Sequence, residues 1–210
     1  MTHTQNELPR GDDYVGQRRA RDTRQSILTH AAKVFAVKGY SACSTRDVAA
    51  AANVSHANIR YHFGDKETLW KKVIQFLRAK AYQGDEVLAQ LGTSANPTEI
   101  FRQHTRNAIE YFVSNPELSK MLHHERLSGG DRLIDIEDVI KDIEAERVSH
   151  IKRMQDAGAI KQSIDPVILT QLISGGLITR FIIEPFPDDE TRDRMILEYT
   201  ETIVQLVSNA

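Results

Sequence analysis

Residues 44–63 read STRDVAAAANVSHANIRYHF, and this stretch decides how the amino-terminal part of the chain folds. Ser44 is a good helix N-cap, and Asp47 stands three residues later, where the partner in a capping box belongs. The alanines that follow predict a short helix. Ser55 then predicts the cap of a second short helix, which ends in an aromatic cluster before Gly64. Two short helices joined by a tight turn are typical of a helix-turn-helix.

The side chains on the outer surface of these two helices have the chemistry that contact with a DNA duplex requires. Arginine can bind guanine through two hydrogen bonds or pair with phosphate, asparagine can bind adenine, and tyrosine and histidine can donate to phosphate oxygens. The positive end of a helix that begins at Thr45 also attracts phosphate. The candidate DNA-binding residues are Thr45, Arg46, Ser55, His56, Ala57, Asn58, Arg60, Tyr61, His62 and Lys66.

Charge is distributed unevenly along the chain. Up to Phe63 there are nine Lys or Arg and five Asp or Glu, a net charge of +4. The remainder has 18 and 24 of them, a net charge of −6. A basic end on an acidic protein fits contact with a polyanion through that end alone, although chance fluctuation also explains a difference of this size.

Composition limits the class of protein. The 210 residues suffice for one large domain or two small ones. A single cysteine, Cys43, excludes an internal disulfide and fits a reducing compartment. No apolar run approaches the roughly 20 residues that span a bilayer, and residues 1–21 lack the apolar segment of a signal peptide. These features predict a cytoplasmic protein without a membrane segment.

Helical periodicity extends over most of the chain and predicts an all-α fold. Residues 1–21 lack this periodicity, and we expect a mobile basic arm there. Residues 22–67 are predicted to form a three-helix, helix-turn-helix DNA-binding domain whose first helix ends at Gly39. A connector helix running to about Gln83 is predicted to join it to a larger helical ligand-binding and dimerisation domain, which takes up residues 68–210.

Proline, glycine and N-cap residues divide the second domain into further helices. The helix that begins at Pro166 contains Gly175 and Gly176, and each glycine costs roughly 1 kcal/mol relative to alanine in a helix. Glycines retained at that cost often allow a close approach between helices. The predicted helices cover residues 97–114, 117–128, 133–157, 166–184 and 189–207.

Polar residues on the second domain are weak candidates for binding a small molecule. They are His104, Tyr111 and Arg180, although a histidine on an apolar stripe, as His104 is, is more often a hydrogen-bonded core residue than a ligand contact. His123 and His124 suggest a metal site, but adjacent helical residues point about 100° apart and do not chelate together without help. Motifs for catalysis or phosphate binding are missing from the sequence. We therefore predict no metal, no cofactor and no catalytic residue.

The segment NIRYHFGDKETL, residues 58–69, follows an Asn-Val-Ser turn and resembles the amino-terminal signature of the TetR family of bacterial transcriptional regulators. The resemblance covers residues 23–77. Arg60 departs from the family pattern, which usually has tyrosine there, and Ala57 stands where glycine or proline is common. Arg60 is therefore the outward residue that sets this surface apart.

The resemblance implies a ligand-responsive, sequence-specific DNA-binding regulator, most often a repressor that a small molecule releases from its operator. It also implies a homodimer that pairs residues 166–184 and 189–207 with those of a second copy. A two-fold dimer reads a palindrome whose half-sites lie about 34 Å apart. Two rival hypotheses stay open: a helical enzyme or metal-binding protein with an incidental helix-turn-helix, and an interaction module without DNA binding.

Overall fold

The computed structural model describes residues 11–81, 85–130, 132–183 and 186–209, and these residues are mainly helical, as the sequence predicts. A short π-helix, Ile178–Ile183, follows the ninth α-helix. In chain order, the α-helices of the described residues are α1 (Gly11–Ala42), α2 (Thr45–Ala51), α3 (His56–Phe63), α4 (Lys66–Ala79), α5 (Asp85–Leu88), α6 (Pro97–Ser114), α7 (Glu117–Ser128), α8 (Leu133–Asp156), α9 (Pro166–Leu177) and α10 (Asp189–Val207).

The chain divides into two compact units, one up to Phe76 and one from Leu77 onward. The division falls inside α4, so this helix belongs to both units. The sequence places the domain boundary earlier, between residues 67 and 68. Residues 68–76 group with the first unit because Leu69, Trp70 and Val73 are fully buried.

An aromatic cluster holds the first unit together. The Trp70 ring meets the Phe35 ring edge-on at 5.0 Å and the Tyr40 ring at 5.2 Å between centroids. Gly39 has a φ of 72°, which interrupts α1 at the predicted residue, and the Tyr40 ring stacks on the Phe35 ring of the same helix. Buried aromatic pairs contribute about 0.5–1.5 kcal/mol each beyond the area that they bury.

The amino-terminal end of α1 differs from the sequence prediction. Residues 11–21, predicted to be part of a mobile arm, are helical, so α1 does not begin at Asp22 or Thr23. Residues 17–21 are QRRAR, and these alanine and straight-chain side chains favour a helix even where no apolar stripe is buried. The rest of the predicted arm, residues 1–10, lies outside the described residues.

The second unit has the helix caps that the sequence predicts. The Asn96 side chain accepts from the Glu99 N–H at 3.2 Å, and Asp165 and Asp188 cap α9 and α10 in the same way. α6 packs against α10, and α8 packs against α9. The side chains that these helices share form one apolar core, which includes Phe101 and Met154.

Two helix ends in the second unit differ from prediction. α4 ends at Ala79 rather than near Gln83, because the N–H of Lys80 bonds to the Leu77 carbonyl at 3.2 Å and tightens the last turn. Residues 82–84 are outside the described residues. α9 ends at Leu177 and is followed by the π-helix, instead of continuing to residue 184. Residue 184 also lies outside the described residues. The Thr179 hydroxyl donates to the Gly175 carbonyl at 3.1 Å, a local bond that competes with regular helix geometry.

Candidate nucleic-acid interface and ligand cavity

A capping box fixes the start of α2. The Ser44 hydroxyl accepts from the Asp47 N–H at 3.1 Å, and the Asp47 carboxylate accepts from the Ser44 N–H at 2.8 Å. Lys38, near the end of α1, also donates to Asp47 at 2.7 Å. Lys38 and Ser44 together hold the pKa of the Asp47 carboxyl far below its usual range. The cap therefore joins α2 to α1 as well as starting the helix.

The turn between α2 and α3 is tight. Asn53 has a φ of 52°, a left-handed conformation that asparagine adopts more readily than most residues. The Val54 N–H bonds to the Ala49 carbonyl at 3.0 Å, and the Ser55 hydroxyl then accepts from the Asn58 N–H at 3.2 Å. Ile59 and Phe63 are buried beneath α3, so its opposite face is directed outward.

The predicted DNA-binding residues lie together on this outward side. Tyr61 is 81% exposed, although it is a large aromatic residue. The Thr45 hydroxyl and His56 Nε2 are 2.9 Å apart, which links the first residue of α2 to the first residue of α3. The exposed members of the set are Arg46, Ser55, His56, Ala57, Asn58, Arg60 and Tyr61.

Three members of the set are only partly exposed: Thr45, His62 and Lys66. Lys66 Nζ lies 4.3 Å from the centre of the Tyr40 ring and donates to the Ser41 carbonyl at 3.4 Å, so it is held against the end of α1. Burial lowers the pKa of His62, and the charge of Arg24 lowers it further. His62 is therefore suited to donate a neutral hydrogen bond.

Arg24 is a residue that the sequence interpretation did not select. Its guanidinium lies 5.4 Å from the centre of the Phe63 ring, which places an exposed cation beside the carboxyl end of α3. The signal in the sequence is weak, because Arg24 is one of several arginines between residues 18 and 24.

The second unit contains a cavity of about 190 Å³. Its walls come from α6, α7, α8, α9 and the residues at the end of α4, and most of the side chains are apolar. Of the three predicted ligand-binding residues, His104 and Tyr111 line this cavity. Arg180 is not in the wall, and its guanidinium lies 4.5 Å from the centre of the Phe186 ring.

Polar groups enter the cavity from three helices. His104 Nε2 on α6 is 3.3 Å from His150 Nδ1 on α8. Arg147, one turn before His150, donates to the Ser174 hydroxyl on α9 at 3.1 Å. The sequence interpretation did not select Arg147, His150 or Ser174, which lie on α8 and α9, far along the chain from His104 on α6. Packing, not spacing, brings these helices together.

The Tyr111 hydroxyl connects the cavity wall to the residues after α4, where it donates to the Lys80 carbonyl. Burial and the charge of Glu117 raise the pKa of Tyr111, so the phenol remains the donor at neutral pH. Arg78 in α4 makes an ion pair with Glu146 in α8. Within the second unit, the end of α4 is thus bonded to both α6 and α8.

No group of three or more His, Cys, Asp or Glu side chains arranged to hold a metal ion occurs among the described residues. His123 and His124 both lie on α7 and are partly exposed. Among the same residues, every helix is too short or too polar to span a bilayer.

Family comparisons match both units. Residues 27–73 match the model for bacterial regulatory proteins of the TetR family. Residues 101–180 match the model for the tetracyclin repressor-like carboxyl-terminal domain. The two matches cover separate parts of the chain and indicate the same family.

Curated relatives include transcriptional repressors. The HTH-type transcriptional repressor NicS of Pseudomonas putida is 26% identical over 147 residues, 70% of this chain and 68% of that protein. The repressor AcnR of Corynebacterium diphtheriae is 28% identical over 162 residues, 73% of this chain and 82% of that protein.

Solved structures share the fold at lower identity. The ketosteroid transcriptional regulator KstR2 of Mycobacterium tuberculosis superimposes with a TM-score of 0.66 at 18% identity, over 89% of this chain and 95% of that one. The fatty acid degradation regulator FadR from Bacillus halodurans gives 0.63 at 18% identity, over 87% and 96%.

Proposed function

The chain belongs to the TetR family of bacterial regulatory proteins, and we propose that it is a homodimeric transcriptional repressor that a small molecule releases from a palindromic operator. The observation that carries the proposal is α3, whose buried Ile59 and Phe63 leave Asn58, Arg60 and Tyr61 exposed. Exposed arginine, asparagine and tyrosine on a short, firmly seated helix are suited to enter a major groove.

Base contacts and phosphate contacts come from different residues in this proposal. Asn58 and Arg60 on α3 read base edges, each contact adding about 1–3 kcal/mol of discrimination. Arg46 and Tyr61 bind the flanking phosphates, as does the amino-terminal end of α2 at Thr45. The remaining contacts are assigned to Ser55, His56, Ala57, His62 and Lys66, and Arg24 joins them as a phosphate-binding cation.

The proposed dimer interface is an exposed apolar surface on α9 and α10. Ile168, Leu172 and Leu206 are 57%, 69% and 68% exposed. Large apolar side chains exposed on adjacent helices mark surfaces that associate. Pairing α9 and α10 with a second copy buries them, and the two-fold symmetry gives two recognition helices for the two halves of a palindrome.

Ligand binding acts on DNA affinity through α4. Leu77 and Ala81 line the cavity, and Tyr111 and Arg78 bond the end of α4 to α6 and α8. A ligand that fills the cavity shifts this end and tilts the helix around Trp70, which changes the spacing of the two recognition helices. In this proposal His104 and Tyr111 contact the ligand.

The protein has no catalytic role in this proposal, and it acts in the cytoplasm.

Selection of bound sequences from random duplex DNA tests the DNA-binding proposal. We expect enrichment of a palindrome whose half-sites are about one helical turn apart. The double variant Arg60→Ala with Tyr61→Ala should lose the enrichment, whereas Lys33→Ala, which removes an exposed cation from α1, should keep it. If the wild-type protein enriches no sequence, the proposal is wrong.

A further inference from the structure

The cavity in the second unit has the size for a small organic molecule. A dry cavity of about 150 Å³ admits benzene, so the 190 Å³ here fits a ligand of about ten non-hydrogen atoms. Phe101, Ile109, Ile143 and Met154 are buried side chains of its wall. The body of the ligand is therefore apolar.

One wall of this apolar cavity carries a cation. Arg147 is surrounded by protein, and this burial lowers the pKa of its guanidinium, while Glu144 and Glu146 oppose the shift. The side chain is nevertheless partly accessible, and it contributes to the wall of the cavity. Its hydrogen bond within the described residues goes to the neutral Ser174 hydroxyl, and Glu146 is already paired with Arg78. A cation in an apolar wall that bonds to a neutral hydroxyl favours an anionic partner.

The ionisable groups of the cavity wall together favour a ligand with one negative charge. Arg126 and Arg147 are cations, Glu144 is a carboxylate, and Tyr111 donates its hydroxyl to a carbonyl. His104 and His150 hydrogen-bond to each other, which requires one ring nitrogen to donate and the other to accept. With both histidines neutral the wall has a net charge of +1. A monoanionic ligand balances it.

The geometry points to a small carboxylic acid with an apolar alkyl or aryl body as the ligand class of this cavity. The carboxylate pairs with Arg147 beside the His104–His150 pair, and the body lies among the apolar side chains. Arginine binds a carboxylate through two parallel hydrogen bonds, so it selects the acid over an amide of the same shape. The inference rests on the proposed function, because it takes the cavity as the effector site.

Calorimetric titration of the full-length protein with octanoate and octanamide tests this inference without DNA. We expect wild-type protein to bind octanoate about tenfold or more tightly than octanamide, since hydrogen bonds to charged groups are the strong ones. Arg147→Gln should remove this preference. Lys152→Gln, which removes an exposed cation from the same helix, should retain it. Glu144→Gln should tighten octanoate binding several-fold, because it removes a like charge from the wall.

Equal binding of the acid and the amide by wild-type protein, or binding of neither, overturns the inference. Retention of the preference by Arg147→Gln also overturns it. If far-ultraviolet circular dichroism shows that Arg147→Gln does not fold, two measurements still test the inference. They are the preference of the wild-type protein for octanoate over octanamide and the octanoate affinity of Glu144→Gln. Because these titrations contain no DNA, their failure is distinct from the failure of operator selection. Octanoate binding without release of the operator would contradict only the proposal that the ligand controls DNA affinity.

Discussion

Asp47 has two roles, since it caps α2 and binds Lys38 of α1. Both contacts favour the ionised carboxylate, which is why its pKa lies below the usual range. A carboxyl group whose pKa is lower in the folded state stabilises the protein above its unfolded value of about 4. That contribution is lost as the pH falls through the folded-state pKa. The junction of α1 and α2 is therefore sensitive to acid.

We expect Asp47→Asn to destabilise the first unit at pH 6 and to make progressively less difference as the pH falls below 4, because the wild-type carboxyl then binds a proton in the unfolded state while the folded carboxylate stays ionised. Trp70, the only tryptophan in the sequence, is fully buried in this unit and reports its unfolding by fluorescence. Asp22→Asn, which removes an exposed carboxylate from α1, is the control and should change the urea midpoint little. A wild-type advantage that persists unchanged at the lowest pH would contradict this explanation.

Gly176 shows why α9 retains a residue that is unfavourable in a helix. A Cβ atom at this position would lie 2.6 Å from the Tyr199 hydroxyl oxygen, whereas one at Gly175 would meet nothing within 4 Å in the single chain. The close approach between α9 and α10 that the glycine pair suggests is thus made at Gly176. Gly175 is exposed instead, on the helix that carries the proposed dimer surface.

We expect Gly176→Ala to destabilise the protein by about 1 kcal/mol, because steric crowding of about 1–3 kcal/mol exceeds the gain in helix preference of about 0.5–1 kcal/mol. In a Tyr199→Phe background, which removes the crowding oxygen, the same substitution should become neutral or stabilising. Thermal unfolding followed by circular dichroism measures both effects. If the background makes no difference, Tyr199 is not the reason for the glycine.

Elements bounded by strong local signals could be predicted from the sequence. α2, α3, α6, α7 and α10 begin or end where capping residues, proline and glycine indicate, because these signals act within one helical turn. The early start of α1 gave no apolar signal, and no capping residue, proline or glycine stands at Leu177 or Ile178, where α9 changes to the π-helix. Arg147 and His150 line the cavity only because three helices meet there. Contacts between helices distant in sequence follow from packing, and a single sequence does not display them.

The proposed function assigns three parts to the whole molecule: a surface that contacts DNA, a cavity for the ligand and an apolar surface for dimerisation. A single recognition helix contacts few base pairs, so useful affinity needs two copies held at a fixed spacing. The apolar surface on α9 and α10 supplies the second copy in the proposed assembly. A variant that blocks dimerisation but keeps every DNA-contacting side chain tests whether operator affinity needs two copies.

We expect Leu172→Glu to make the protein monomeric, with a loss of affinity for the palindromic operator but not of folding. Two-fold symmetry places each residue in the interface twice, and each buried leucine contributes about 1.5–3 kcal/mol, so the dimer constant should weaken by about a hundredfold or more. Leu127→Glu is the matched control, because Leu127 is 75% exposed on α7, away from the proposed surface. Sedimentation velocity compares the variants, and fluorescence anisotropy measures their binding to the full palindrome and to one half-site. A Leu172→Glu protein that sediments like the wild type would place the dimer interface elsewhere, whereas a monomer that binds the palindrome as tightly as the wild type would separate dimerisation from operator recognition.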